Sequence, residues 1–172
     1  MTKQELEVCI QMYGRDIYSF CSQLTNNRQE ADELYQDTLL TAVERLERID
    51  FDNNPKSYLL SIAIRLWKNR KRKFAWRRRI ADIQPIMEER SVNQVEGTEE
   101  SPEEKILGRE EEAAVRQAVN RLPERLRIVT ILYYMEELSI AQIATTLKIP
   151  KGTISSRLHQ AREFLRQELE DF

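Results

Sequence analysis

Ser139-Ile-Ala-Gln-Ile-Ala-Thr-Thr-Leu-Lys-Ile-Pro-Lys-Gly-Thr-Ile-Ser-Ser-Arg-Leu-His-Gln-Ala-Arg-Glu-Phe-Leu-Arg-Gln-Glu-Leu169 is the stretch whose reading decides the fold. Ser139 is placed to cap a short helix, because Ile140, Ile143, Ala144 and Leu147 recur at helical spacing behind it. Pro150 stops that helix, since the residue before a proline is pushed out of the α region. Beyond it Ile154, Leu158, Ala161, Leu165 and Leu169 form the stripe of a longer helix. Short helix, tight turn, longer helix is the pattern of a helix-turn-helix, whose second helix enters a DNA major groove. Lys151, Thr153, Ser155, Ser156, Arg157, His159 and Gln160 all avoid the apolar stripe. They combine cations for phosphates with hydroxyls and an amide for base edges. An ordinary helical hairpin with a solvated face would carry the same pattern, so the rest of the chain has to decide.

Working outward, composition favours an all-α protein: only four glycines and five prolines occur in 172 residues, and Leu, Ile, Ala, Glu and Arg dominate. That length allows one medium domain or two small ones. No apolar run approaches a membrane span and the N-terminus lacks a signal-peptide core, so the expected location is the cytoplasm. Cys9 and Cys21 fall on the apolar side of the first helix and read as buried reduced thiols. With a single histidine and no paired cysteines, no metal site is expected. No phosphate loop or nucleophile motif is present either, and the chain reads as a non-enzyme without cofactor or small-molecule substrate.

The net charge of −2 conceals a strong polarity. Residues 65–79 carry nine Lys or Arg and no acid, whereas residues 81–112 carry eleven acids against three bases. The basic tract follows an apolar run, Tyr58 to Ile64, and is interleaved with Trp67, Phe74 and Trp76. An apolar anchor continuing into cations and aromatics suits a nucleic-acid surface. A solvated helix end and a membrane-surface helix are the alternatives.

Ahead of it lie two amphipathic helices. The first spans Thr2 to Leu24 with Leu6, Cys9, Ile10, Tyr13, Ile17, Phe20, Cys21 and Leu24 on its stripe, and with Gly14 as a candidate bend. The second runs to Ile49, with Ala31, Leu34, Tyr35, Thr38, Leu39, Ala42, Val43, Leu46 and Ile49 expected in the core. Asp50 to Pro55 is a loop of turn formers, and Pro55 suits the start of a third helix. Residues 81–103, acidic and poor in large apolar side chains, read as a flexible linker. Beyond them, one helix uses Ile106, Leu107, Val115, Ala118, Val119 and Leu122, and another opens at Pro123 with Leu126, Val129, Ile131, Leu132 and Tyr133 as core. The expectation is two small helical domains, residues 1–80 and 104–172, joined by an acidic tether, with the helix-turn-helix in the second.

Three segments in this order resemble the extracytoplasmic-function sigma factors, the minimal branch of bacterial sigma factors. Ala31-Asp-Glu-Leu-Tyr-Gln-Asp-Thr-Leu-Leu40 is similar to their core-polymerase-binding helix, and Pro55 to Asn69 to their promoter-melting region. Arg121-Leu-Pro-Glu-Arg-Leu-Arg127, Ile143-Ala144 and Pro150 to Leu158 resemble their second domain. The resemblance implies that Asp32, Glu33, Gln36 and Asp37 contact core RNA polymerase. It implies that Asn53, Asn54, Lys56, Arg65, Trp67, Lys68, Asn69, Lys71 and Arg72 handle the downstream promoter element, with a base pocket in the loop from Phe51 to Lys56. Arg162 joins the seven helix-turn-helix residues as an upstream-element contact. An anti-sigma factor, often membrane-bound, is the further implied partner. The chain departs from the usual pattern at Tyr58 (often Trp), Arg65 (often Asn), Gln142 (often Glu) and Lys148 (often Gly). Ser155 and Gln160 replace frequent basic residues, implying a different promoter sequence. A helix-turn-helix regulator that acts without replacing a sigma factor, and a basic RNA-binding adaptor, are the competing readings.

Overall fold

The computed structural model describes residues 1–81 and 102–170, and the chain divides into two compact units, Met1–Gln94 and Val95–Phe172. All regular structure among the described residues is helical. Most of the linker read over 81–103 lies outside the described residues; its ends, Ala81 on one side and Pro102 and Glu103 on the other, belong to helices.

The first unit packs three helices. In α1, Lys3–Leu24, the Thr2 side chain accepts from the Glu5 amide at 3.2 Å and the Glu5 carboxylate accepts from the Thr2 amide at 2.7 Å. This reciprocal box satisfies two of the amides a helix start leaves orphaned. The Thr2 amide holds the Glu5 carboxyl below its ordinary range. α1 runs unbroken through Gly14. The glycine serves a close approach instead of a break, because a Cβ there would stand 3.1 Å from the Tyr35 hydroxyl of the next helix.

α2, Arg28–Glu44, is capped by Asn27. It buries Ala31, Leu34, Thr38 and Ala42, and the buried Thr38 hydroxyl donates to the Leu34 carbonyl at 2.7 Å. Sequence periodicity extends this helix to Ile49, but the backbone tightens at Arg45 into a 3-10 turn, Leu46–Arg48. Ile49 still reaches the core at 2 % exposure. The Met1 amino group donates to the carbonyls of Leu46 and Ile49.

α3, Pro55–Ala81, buries Leu59, Leu60, Ile62, Ala63, Ile64 and Trp67 against the other two helices. From Lys71 onward every residue is exposed.

In the second unit α4, Pro102–Arg121, is followed by α5, Glu124–Thr130, which widens into a π turn over Ile131–Met135. Then come α6, Ile140–Leu147, and α7, Lys151–Glu170. Val129, Ile131, Leu132, Ile143, Ile154 and Leu158 are fully buried, and Leu122, Leu126 and Ala161 form a cluster joined by Val119, Phe164 and Leu165. Ser139 and Gln142 build a second capping box at the start of α6. That helix ends on Lys148 in the left-handed conformation, φ 56°. A position that favours glycine is thus held by a lysine.

Candidate nucleic-acid interface

The polar face of α7 is where the stripe of Ile154, Leu158 and Ala161 requires it. Lys151, Ser155, Ser156, His159, Gln160 and Arg162 are exposed, while Thr153 and Arg157 are half-buried. The helix begins directly after the turn, with the Thr153 and Ile154 amides donating to the Pro150 carbonyl. Lys151 therefore sits at the amide-rich end, where the helix dipole adds to its pull on a phosphate. Arg162 differs from the others. Its Nε donates to the Tyr134 hydroxyl at 2.6 Å, and its guanidinium lies 5.8 Å from the ring centroids of both Tyr133 and Tyr134. The Tyr134 hydrogen bond raises its pKa further above an already high value.

On α3 the expected downstream residues fall into two groups. Arg65, Lys68, Lys71 and Arg72 are exposed, and the half-buried Asn69 accepts a hydrogen bond from Arg72. Trp67, expected as a DNA contact, is only 6 % exposed and packs in the core. Its outer face carries the Lys71 ammonium 4.6 Å from the ring centroid. An aromatic within a basic run reads as surface, yet Trp67 continues the buried stripe of Leu60, Ala63 and Ile64 by helical spacing. In the preceding loop Asn53 is exposed, Asn54 caps α3 by accepting from the Ser57 amide at 3.1 Å, and Lys56 pairs with Asp16 at 3.0 Å. Asn54 adopts φ 49°, which bends the chain sharply into the helix.

The acidic face of α2 is tied to its neighbours. Asp32 accepts from the Tyr18 hydroxyl at 2.6 Å, which raises the tyrosine pKa. Asp37 receives Arg70 of α3, and the same guanidinium lies 3.8 Å from Glu33. Gln36 is exposed. Beside it stand two apolar side chains that the sequence reading did not assign to this face: Leu40, 63 % exposed, and Val43, 45 % exposed. Val43 was expected in the core. Leu40 follows Gln36 by four residues and precedes Val43 by three, so all three share one helix face. The signal was present in that spacing, since Leu40 stands two residues from both Thr38 and Ala42 of the buried stripe.

Among the described residues there is no cluster of metal-ligating side chains, and no helix is long and apolar enough to cross a membrane.

The sigma-70 region 2 family matches residues 9–78, and the sigma-70 region 4 family matches residues 112–165. The ECF RNA polymerase sigma factor SigW of Bacillus subtilis is 28 % identical over 166 residues, covering 94 % of this chain and 87 % of that protein. The RNA polymerase sigma-H factor of Pseudomonas aeruginosa is 31 % identical over 173 residues, covering 98 % and 88 %. Among solved structures, the sigma factor RpoE in complex with the anti-sigma factor NepR from Bartonella quintana shares the fold, with a TM-score of 0.79 at 22 % identity, covering 97 % of this chain and 98 % of that one. CnrH in complex with the cytosolic domain of CnrY shares it with a TM-score of 0.68 at 16 % identity, covering 99 % and 90 %. With region 2 and region 4 in order along one chain, and relatives that align over nearly its whole length, the protein belongs to the extracytoplasmic-function sigma factors of bacterial RNA polymerase.

Proposed function

We propose that the protein docks on core RNA polymerase through the exposed face of α2 and places α7 in the upstream promoter element. As a sigma factor it binds core polymerase and promoter DNA and directs promoter-specific initiation, and an anti-sigma factor is its natural antagonist. Sigma factors are initiation factors, and the polymerase carries out the chemistry. The domain assignment follows: residues 1–80 engage polymerase and the downstream element, residues 104–172 read the upstream element, and residues 81–103 tether them. A cytoplasmic location goes with that role.

The observation that carries this reading is the facing of α7. Lys151, Ser155, Ser156, His159 and Gln160 are exposed on the side away from buried Ile154, Leu158 and Ala161. Short hydroxyls, an imidazole and an amide read base edges, while Lys151 and Arg157 hold phosphates. In the first unit Gln36, Asp37, Leu40 and Val43 offer polymerase a mixed polar and apolar patch. Its charge steers encounter and its apolar side chains supply burial. Asn53 and the loop around it are offered to an extruded base, whose release from the stack costs a few kcal/mol, offset by pocket contacts. Arg65, Lys68, Lys71 and Arg72 face the phosphates. Trp67 takes an indirect part, as the buried base on which Lys71 rests.

The test is transcription by purified core polymerase on a promoter library randomised in the upstream element. The expected result is transcription only when the protein is added, from a selected subset of sequences. DNA binding without capture of core polymerase would favour the helix-turn-helix regulator that acts without replacing a sigma factor.

A further inference from the structure

Arg162 was expected among the DNA contacts, yet its immediate partners belong to the protein. In a regular α-helix neighbouring side chains diverge by about 100° and do not face a common partner. Tyr133 and Tyr134 are neighbours, but they sit within the π turn that follows α5. There the Glu136 amide donates to the carbonyl of Ile131, five residues back. The two rings stand edge to face, 4.9 Å apart at 80°. They form a corner, and the Arg162 guanidinium is 5.8 Å from each centroid with its Nε committed to the Tyr134 hydroxyl. Insertions of this kind in a helix are found frequently at functional positions. Here the widened turn meets α7 just beyond the last of the exposed base-reading residues, His159 and Gln160.

We infer that Arg162 is a positioning residue that braces the recognition helix against the two-tyrosine corner and so sets how deeply α7 enters the groove. The inference rests on the proposal that α7 reads the upstream element. One hydrogen bond and two ring contacts on an exposed guanidinium are modest interactions. They act at the point where α7 leaves its contact with DNA, so a small rotation there displaces the side chains of His159 and Gln160 together. Affinity for DNA in general depends on the count of phosphates neutralised, which this brace leaves alone.

The experiment compares Arg162→Ala, Arg162→Lys, Tyr134→Phe and the double variant Tyr134→Phe/Arg162→Ala, each assembled with core polymerase. Binding is measured, over a series of salt concentrations, to a duplex chosen by the wild-type holoenzyme and to the same duplex with a scrambled upstream element. Tyr134→Phe removes one hydroxyl from an exposed side chain and so reports on the brace without threatening the fold. The expected result is a loss of discrimination of about three- to tenfold in Arg162→Ala, where the hydrogen bond and the ring contacts are both lost, and a smaller loss in the same direction in Tyr134→Phe, which loses the hydrogen bond and keeps the rings. The double variant is no worse than Arg162→Ala, Arg162→Lys does not rescue because lysine lacks the Nε geometry, and the salt slope stays at its wild-type value. A slope lower by about one unit in Arg162→Ala, with Tyr134→Phe neutral, would make Arg162 a phosphate contact and overturn the inference. Wild-type discrimination in all four variants would overturn it equally. A wild-type holoenzyme that binds both duplexes alike would instead refute upstream reading by α7.

Discussion

Replacing Asp37 by Asn separates two roles that its position assigns to it. The carboxylate pairs with Arg70 inside the first unit, and it stands on the face proposed to meet polymerase. The two side chains are 50 % and 35 % exposed, so solvent and salt screen the pair strongly. An ion pair that open contributes about 0.2–1 kcal/mol, which for a unit of this size corresponds to only a few degrees in Tm. Loss of a central interface contact costs about 1–2 kcal/mol, or roughly 5- to 30-fold in affinity. Asp37→Asn together with Gln36→Ala is therefore expected to fold with nearly wild-type Tm and to bind core polymerase at least fivefold more weakly. Leu40→Ala should act in the same direction with still less effect on Tm, because the leucine is 63 % exposed and little of its surface is withdrawn from water on folding. The assay is titration of fluorescently labelled protein with core polymerase, paired with thermal unfolding of the same samples. Two results would refute the reasoning. Unchanged affinity in the folded variants would make the face merely solvated. An equal loss in Arg70→Ala would assign the effect to the bridge instead of to docking.

Other outcomes follow from particular residues. Lys148→Gly relieves a left-handed lysine and should stabilise the second unit by about 0.5–1 kcal/mol, seen as a rise in its unfolding midpoint in urea. Gln160→Ala is expected to change which upstream sequences support transcription, costing about 1–3 kcal/mol at one position, whereas Arg157→Ala should lower transcription from every variant; sequencing the selected library distinguishes the two. The Tyr18 pKa is raised by its bond to Asp32, so the native state holds that proton more tightly than the unfolded chain. The stability from this pair is complete below pH 10 and is lost as pH rises through the folded-state value, and Tyr18→Phe should remove that alkaline loss from the unfolding profile.

The helix-turn-helix was legible because Pro150 and two stripes of regular spacing allow few alternatives, and the structure begins α7 one residue after that proline. Periodicity identifies a face without saying how far neighbours cover it. For that reason Val43 and Val115, both at stripe-like positions, proved 45 % and 46 % exposed. The ends of elements were less legible: α2 closes in a 3-10 turn before Ile49, where the loop of turn formers begins to compete with the helix. The π turn left no signal, because Ile131 to Met135 carry ordinary helix and core residues. Pairings across elements were the least legible. Lys56 with Asp16, Arg70 with Asp37 and Arg162 with Tyr134 join residues far apart in sequence, and each takes a side chain that composition alone would give wholly to DNA.

The exposed half of α3 has an energetic consequence of its own. From Lys71 to Ala81 no residue is buried, so packing contributes little to keeping this segment helical. Lys68 and Arg72, and again Lys73 and Arg77, stand four residues apart, and like charges at that spacing oppose the helix by about 0.2–0.5 kcal/mol per pair. A polyanion laid along the segment cancels that repulsion at the moment it binds. In the proposed role, added salt therefore pulls in opposite directions, firming the helix in the free protein while weakening its hold on DNA. On the proposed DNA contact, the segment works as a charged spring that duplex or displaced strand relaxes, with part of its affinity coming from relief of repulsion already present in the unbound chain.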